Sequence, residues 1–233
     1  MEIVTLIITS IAVIITAIFV MGININKIKT LKNLAKDKSL TEITNKFPEN
    51  TQVCKDILIM LNNQNVNIKN ASEESTTSLY IVASNTILIG NTKDTFTRIQ
   101  TIAHECIHST QSKRLLWFNF ALSNVYLFYT IIITIMALIN KLPNINVFAT
   151  ILVMMSILLY YVRSYIETDA MLRAKNLAKD YMEQHRNTVK QEDVDRVIEN
   201  YENINQIGVK LYNLKLLVDY LLKIIVFSIV AYI

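Results

Sequence analysis

Five consecutive residues, His104-Glu105-Cys106-Ile107-His108, carry side chains whose types and spacing suit metal chemistry. Positions i and i+4 lie one turn apart on the same face of a helix, so the two imidazoles can bind one Zn²⁺ between them. Glu105 would then be positioned to accept a proton from a water that the metal activates. The alternative is a chance pair of histidines on a polar helix face. It is the weaker interpretation, because the chain has only three histidines.

The residues around the motif predict a helix that presents both histidines on one polar face. Its apolar side consists of Phe96, Ile99, Ala103, Cys106 and Ile107, and its polar stripe of Thr97, Thr101, His104, His108 and Gln111. The pattern has the helical period and extends from about Thr95 to Lys113. Cys106 is therefore interpreted as a small buried hydrophobe and not as a ligand.

Three short runs before this helix are rich in β-branched or aromatic residues and predict strands: Val66–Ile68, Ser78–Ala83 and Thr86–Ile89. Only Ser84-Asn85 separates the last two runs, which predicts a small antiparallel hairpin. Strands followed by a His-Glu-x-x-His helix are the arrangement of small zinc peptidases, in which an edge strand holds the backbone of the substrate. Further upstream, helices are predicted over 27–47 and 49–62.

Four apolar segments predict a membrane protein, in agreement with a hydrophobic content of 52% and a mean hydropathy of +0.33. They are Ile3–Ile23, Leu115–Ile139, Val147–Val162 and Leu214–Ile233. The last segment contains Asp219 and Lys223 one turn apart, where they could pair or face other helices. We therefore expect a mainly α membrane protein with about four transmembrane helices. A small cytoplasmic α+β module would comprise the short β-hairpin and the motif helix.

The apolar segments divide the chain into five parts. These are an N-terminal transmembrane anchor (1–23), a cytoplasmic region with the motif helix (24–114), a transmembrane hairpin (115–162), cytoplasmic helices (163–213) and a C-terminal transmembrane helix (214–233). The cytoplasmic helices are expected to supply a third zinc ligand besides His104 and His108. Lys and Arg number twelve in 24–114 and nine in 163–215 but one in 140–146, which predicts that the first two segments face the cytoplasm. Basic flanks facing anionic lipid account for the net charge of +4, so no nucleic acid is expected as a partner.

A catalytic zinc site generally uses three protein ligands and leaves a position for water, so a third ligand must come from elsewhere in the chain. Glu167 is the first carboxylate after the transmembrane hairpin, on a helix expected to begin near Arg163. Asp169 is the competing candidate, as a ligand or as a group that orients an imidazole. Glu167 could also pair with Arg163 or Arg173 on a solvated helix face. His185 lies in a polar stretch and is not favoured.

These features resemble the bacterial multi-pass membrane zinc peptidases of the gluzincin type, and most nearly the neutral zinc metallopeptidase family. The motifs that carry the resemblance are Ala103-His104-Glu105-Cys106-Ile107-His108-Ser109-Thr110-Gln111 and Glu167-Thr168-Asp169-Ala170. The order of one anchor, a strand pair, the motif helix, a transmembrane hairpin and the second motif is also similar. The heat-shock-linked membrane proteases are similar in layout, with an Arg-rich approach comparable to Arg163.

The resemblance implies one zinc ion per chain on His104, His108 and Glu167, with Glu105 as the general base. It also implies a zincin-like cytoplasmic module, and an endopeptidase of the cell membrane whose partners are a polypeptide substrate and the lipid bilayer. The donor that stabilises the oxyanion stays open, and the candidates nearby in sequence are Tyr160, Tyr161, Arg163 and Tyr165.

Two other classes of function compete with a peptidase. One is a signalling membrane protein, which the short predicted outer loops disfavour. The other is a non-catalytic membrane protein that retains a zinc site, which Glu105 disfavours because a structural site has no use for a base. Cys54 and Cys106 lie in segments expected to face the reducing cytosol, so no disulfide is expected. The sequence does not indicate an oligomeric state.

Overall fold

Helices make up most of the chain, and its regular β structure is one small sheet. The computed structural model describes residues 2–34, 37–72, 75–91, 95–186 and 189–232. In chain order the described elements are α1 (Glu2–Val20), α2 (Ile25–Leu34), α3 (Lys38–Thr44), α4 (Asn50–Met60), β1 (Asn67–Asn70), β2 (Leu79–Ile81), β3 (Thr86–Ile89), α5 (Arg98–Thr110), α6 (Lys113–Leu138), α7 (Ile145–Gln184) and α8 (Gln191–Tyr232). The prediction of a mainly helical chain with a small strand-containing module is confirmed.

The prediction of one continuous helix over residues 27–47 is wrong, because α2 and α3 are separate helices. Asp37 has extended backbone angles, with φ −68° and ψ 109°. Its side chain accepts the N–H groups of Ser39 and Leu40 at 2.8 and 3.2 Å. This is the geometry of a helix N-cap, so a short carboxylate side chain begins a new helix where the apolar period alone would continue the old one.

The motif helix α5 is shorter than its predicted range. It begins at Arg98 and ends at Thr110, because Gln111 adopts extended backbone angles with φ −66° and ψ 164°. The next helix, α6, begins at Lys113. Gln111 therefore lies at a junction between two helices. Its side-chain direction is not fixed by the helical period of α5.

The sheet combines the predicted hairpin with a third strand. β2 pairs antiparallel with β3, Tyr80 lies opposite Ile87, and Asn85 in the connecting turn has a φ of +48°. The antiparallel hairpin is confirmed, but β2 ends at Ile81 and its connection to β3 has the four residues Val82–Asn85 and not only Ser84-Asn85. β1 pairs in parallel with β3, Asn67 opposite Thr86, and the strand order is β1-β3-β2. The parallel partner was not predicted, because parallel pairing has no local turn signal.

The described residues form two units, and the second contains the motif helix. This unit comprises Asn24–Leu116 and Ile166–Val209. Its fully buried side chains include Val53, Cys54 and Ile57 of α4, Ile87 of β3, Phe96, Ile99, Ala103 and Cys106 in and before α5, and Ala170, Ala174, Tyr181 and Tyr201 of α7 and α8. Burial of the apolar side of α5 directs its polar stripe, with both motif histidines, away from that core.

The first unit comprises Met1–Ile23, Trp117–Tyr165 and Lys210–Ile233. Its core includes Tyr126, Ile133, Leu152, Leu159, Tyr220 and Phe227. The hydroxyl of Tyr126 lies 2.9 Å from Ser156 Oγ. The ammonium group of Lys223 lies 5.2 Å from the centre of the Tyr126 ring and 5.4 Å from that of Tyr220, which partly compensates its charge.

Two helices, α6 and α7, are long and apolar enough to cross a membrane by their length and composition. α6 contains the second predicted segment except its last residue, Ile139, and α7 contains the third. The apolar stretch of α1, Val4–Val20, is shorter, so the four-span arrangement stays a prediction. The prediction that a helix begins near Arg163 is wrong, because α7 continues without a break from Ile145 to Gln184.

Candidate metal centre

Three side chains from two helices converge on one point in the second unit. His104 and His108 lie one turn apart on α5, and Glu167 lies on α7. The Nε2 atoms of the two histidines are 3.0 Å apart. Oε2 of Glu167 lies 3.3 Å from His104 Nε2 and 3.6 Å from His108 Nε2. Among the described residues, this is the one group of His, Cys, Asp and Glu side chains placed to hold a metal ion.

The spacing of these three atoms fits a metal ion. Tetrahedral zinc ligands at about 2.0–2.1 Å from the ion lie about 3.3–3.4 Å from one another. The observed separations of 3.0, 3.3 and 3.6 Å scatter around that value. Two imidazole nitrogens and a carboxylate oxygen are also ligands that suit zinc. A cation between them would be bound by two imidazole nitrogens and one carboxylate oxygen.

The pKa values of Glu167 and His108 are shifted by this arrangement. Burial raises the pKa of Glu167, but the hydrogen bonds and charges of His104 and His108 outweigh it and hold the pKa well below its usual range. Burial lowers the pKa of His108, but the hydrogen bond and charge of Glu167 outweigh it and raise the pKa above its usual value. The lowered pKa favours the ionised form of Glu167, and a metal ion would have to displace the proton that the raised pKa of His108 favours.

Glu167, and neither Asp169 nor His185, lies beside the two motif histidines. This is the geometry that Glu167 needs as a third ligand, and its role as a ligand stays a prediction. His185 stacks on Tyr181 with 4.4 Å between ring centroids, and its Nδ1 lies 3.0 Å from the Tyr181 carbonyl oxygen. Asp169 accepts a hydrogen bond of 2.8 Å from Gln111.

Gln111 has contacts at this site that its position in the sequence did not reveal. Its Oε1 lies 2.9 Å from Nδ1 of His108, and its Nε2 donates to Oδ2 of Asp169 and to the main-chain carbonyl of Ile166. Asp169 is thus connected to the imidazole of His108 through the side-chain amide of Gln111. The sequence signals for Gln111 were its place in the polar stripe, three residues after His108, and its place at the end of the motif that carries the family resemblance.

Glu105 is buried next to the three converging side chains, with 7% of its surface exposed. Its Oε2 accepts the main-chain N–H of Tyr80 at 2.7 Å. Burial raises the pKa of Glu105, although the charges of His104 and His108 and the hydrogen bond from Tyr80 act in the opposite direction. A carboxylate with a raised pKa is a better proton acceptor than an ordinary glutamate.

The contact with Tyr80 brings an edge strand beside the motif. Tyr80 lies opposite Ile87 of β3, yet its N–H is donated to Glu105 on α5 and not to β3. β2 has no strand on its other side among the described residues. Leu79 on the same strand is 52% exposed. The edge of β2 that no described strand pairs with therefore adjoins the carboxylate of the motif, which accepts the Tyr80 N–H at this edge.

The residues considered as oxyanion donors all belong to the first unit. Arg163 forms a hydrogen bond with Tyr220 of that unit. The rings of Tyr160 and Tyr161 lie 6.0 Å apart, and Tyr165 is 66% exposed. These contacts single out none of them, so the oxyanion donor stays a prediction without an assigned residue.

Cys54 and Cys106 are free thiols that face each other in the core between α4 and α5. Their Sγ atoms are 3.7 Å apart, and both residues are fully buried. Burial raises the pKa of the Cys106 thiol, which reduces its reactivity. The interpretation of Cys106 as a small buried hydrophobe is confirmed.

Comparison of the chain with models of protein families, with curated proteins and with solved structures finds no match.

Proposed function

We propose that this chain is a membrane-bound zinc metallopeptidase that hydrolyses peptide bonds at the cytoplasmic face of the membrane. The observation that carries the proposal is the convergence of His104, His108 and Glu167 beside Glu105. Three ligand atoms separated by 3.0–3.6 Å suit a tetrahedral zinc site with one position left for water. A structural zinc site generally has four protein ligands and needs no base.

His104, His108 and Glu167 would hold the ion. A bound zinc ion would lower the pKa of a water and polarise the carbonyl group of the scissile peptide. Glu105 would accept the proton from the water and deliver it to the leaving amine. Its burial supports this role, because a raised pKa suits a group that must both take up and release a proton.

The substrate in this proposal is a polypeptide that binds in extended conformation along β2. A segment added to the unpaired edge of β2 would form main-chain hydrogen bonds that do not depend on its sequence, while the Tyr80 N–H stays with Glu105. The bond between Tyr80 N–H and Glu105 supports this placement, because it holds the strand edge within hydrogen-bonding distance of the base. The half-exposed Leu79 would contact a substrate side chain.

Four membrane spans and a cytoplasmic metal site are further parts of the proposal. α6 and α7 support two of the spans by length and composition. The twelve and nine basic residues in 24–114 and 163–215, against one in 140–146, support the orientation. We also propose that the chain belongs with the gluzincin-type neutral zinc metallopeptidases of bacterial cell membranes, which combine the same two motifs with a similar layout.

Metal analysis and proteolysis of the purified protein test the proposal together. We expect about one zinc per chain and cleavage of unfolded polypeptides that stops on chelation and resumes when zinc is restored. Glu105→Gln should keep the zinc and lower the rate about 10²-fold or more, because the substitution preserves size and removes the base.

Two results would contradict parts of the proposal. Normal proteolysis by Glu105→Gln would remove Glu105 from the mechanism. Stoichiometric zinc in a wild-type protein that cleaves no member of a broad peptide library would support the alternative of a non-catalytic membrane protein with a retained zinc site.

A further inference from the structure

The side chain of Gln111 connects the motif helix to the segment that carries Glu167. Its Oε1 lies 2.9 Å from His108 Nδ1 on α5. Its Nε2 donates at 2.8 Å to the main-chain carbonyl of Ile166, the residue before Glu167, and at 2.8 Å to Oδ2 of Asp169. Both ends of the amide are therefore engaged, one by an imidazole and the other by two oxygen atoms of α7.

The two oxygen atoms determine which way the amide points. A main-chain carbonyl and a carboxylate accept hydrogen bonds, so both require Nε2 of Gln111 to face them. The reversed amide would place Oε1 against two acceptors and lose both bonds. Oε1 is therefore directed toward His108. Because an amide oxygen only accepts, Nδ1 of His108 must carry a proton to form this bond.

A proton on Nδ1 leaves the lone pair of the neutral ring on Nε2, which is the atom of His108 that meets His104 and Glu167. We propose that Gln111 is a positioning residue that holds His108 in the tautomer that binds metal through Nε2. Asp169 acts on the metal centre through Gln111 and not as a ligand. This inference rests on the proposed zinc site and assigns roles to two residues around it.

The surroundings of Asp169 agree with an indirect role. Residues two apart on a helix point about 200° apart, so Asp169 and Glu167 do not face the same ion. Asp169 is not one of the three converging side chains. Its Oδ2 lies 3.3 Å from Nη1 of Arg173, and this exposed pair leaves the carboxylate oriented toward Gln111.

The test measures the zinc affinity of the full-length protein in detergent by competition with a chromophoric chelator. Gln111→Leu keeps much of the volume and removes both ends of the amide, so zinc should bind about 10- to 100-fold more weakly. Asp169→Leu should weaken binding toward the lower end of that range, about 10-fold. Asp169→Asn retains an acceptor oxygen for Nε2 and should bind zinc nearly as the wild type does.

The double variant Gln111→Leu/Asp169→Leu decides whether Asp169 acts through Gln111. In a chain that already lacks the amide, removal of Asp169 should have no further effect, so the double variant should match Gln111→Leu. If the double variant loses zinc affinity by the product of the two single-variant factors, the inference is overturned. Such a result is expected if Asp169 contacts the metal independently of Gln111.

A spectroscopic readout separates positioning from a general loss of stability. The visible absorption of the Co²⁺-loaded protein reports ligand geometry, and it should change in Gln111→Leu. Gln52→Leu is the matched control, because Nε2 of Gln52 donates at 2.7 Å to Asp56 on an exposed surface. That variant should keep both the zinc affinity and the spectrum. An unchanged affinity in Gln111→Leu would overturn this inference alone, whereas a wild type that binds no zinc would overturn the proposed function as well.

Discussion

At the level of single residues, the candidate centre joins a local motif to one distant carboxylate. Four positions separate His104 from His108, so any helix places them on the same face. Glu167 lies 59 positions after His108, and its Oε2 nevertheless comes within 3.6 Å of His108 Nε2. Without Glu167 two imidazoles are left, which is one protein ligand fewer than a catalytic zinc site generally has.

We predict that Glu167→Ala sharply lowers the zinc content of the purified protein. The substitution removes the only carboxylate among the three converging side chains and introduces no other ligand. Elemental analysis of protein purified without added chelator measures the effect.

Asp169→Ala and His185→Ala are the comparisons for this prediction. Asp169 contacts Gln111 and His185 stacks on Tyr181, so both variants should retain most of the zinc when no chelator competes for it. Full zinc content in Glu167→Ala, together with its loss in either of the other variants, would show that the third ligand has been assigned to the wrong residue.

At the level of elements, the buried guanidinium of Arg98 connects the start of α5 by hydrogen bonds to the end of α3, the start of α4 and the residues between them. Arg98 is 3% exposed and donates to Asn50 Oδ1 and to the carbonyl oxygens of Thr44, Phe47 and Pro48 at 2.7–2.9 Å. Thr44 is the last residue of α3, and Phe47 and Pro48 lie in the connection between α3 and α4. The first turn of the motif helix is thereby held in place by hydrogen bonds that one side chain supplies.

We predict that Arg98→Leu lowers the free energy of unfolding by about 2–4 kcal/mol. The reason is that the substitution removes the donor of hydrogen bonds to four oxygen atoms and leaves no polar group in its place. Chemical denaturation of the protein in detergent, followed by the circular dichroism of its helices, measures the change.

Arg196→Leu provides a matched control in the same unit. Arg196 is exposed and donates from Nη2 to Ser39 Oγ, so its replacement should change the free energy of unfolding by no more than about 0.5 kcal/mol. Equal effects of the two substitutions would show that the hydrogen bonds of Arg98 contribute little to the stability of α5.

At the level of the whole molecule, the basic residues predict a topology in which 24–114 and 163–213 face the cytoplasm and 140–146 faces outward. Single cysteines introduced as Lys69→Cys, Asn144→Cys and Lys179→Cys place exposed reporters in these segments. An impermeant thiol reagent added to intact cells should label only the Asn144→Cys variant.

The native thiols should not obscure this measurement, because Cys54 and Cys106 are fully buried. Labelling of all three reporters after the cells are opened is the positive control. Labelling of Lys69→Cys or Lys179→Cys in intact cells, with none of Asn144→Cys, would reverse the proposed orientation and place the metal centre outside.

The features that the sequence predicted correctly depend on residues close together in the chain. The apolar period of α5, the spacing of His104 and His108, and the pairing of β2 with β3 are set within one helical turn or one hairpin. The break at Asp37 is also local, but capping by a side chain competes with periodicity, and the period alone favoured a continuous helix.

The sequence by itself determined which residue types are available for a metal centre and which of them share a helix face. Only the tertiary structure decided that Glu167 faces the histidines, that β1 joins β3 in parallel, and that Gln111 lies between His108 and Asp169. The amide of Gln111 meets partners 55 and 58 positions away. Such contacts depend on how whole helices pack in the second unit, and no periodicity in a local stretch of sequence encodes them.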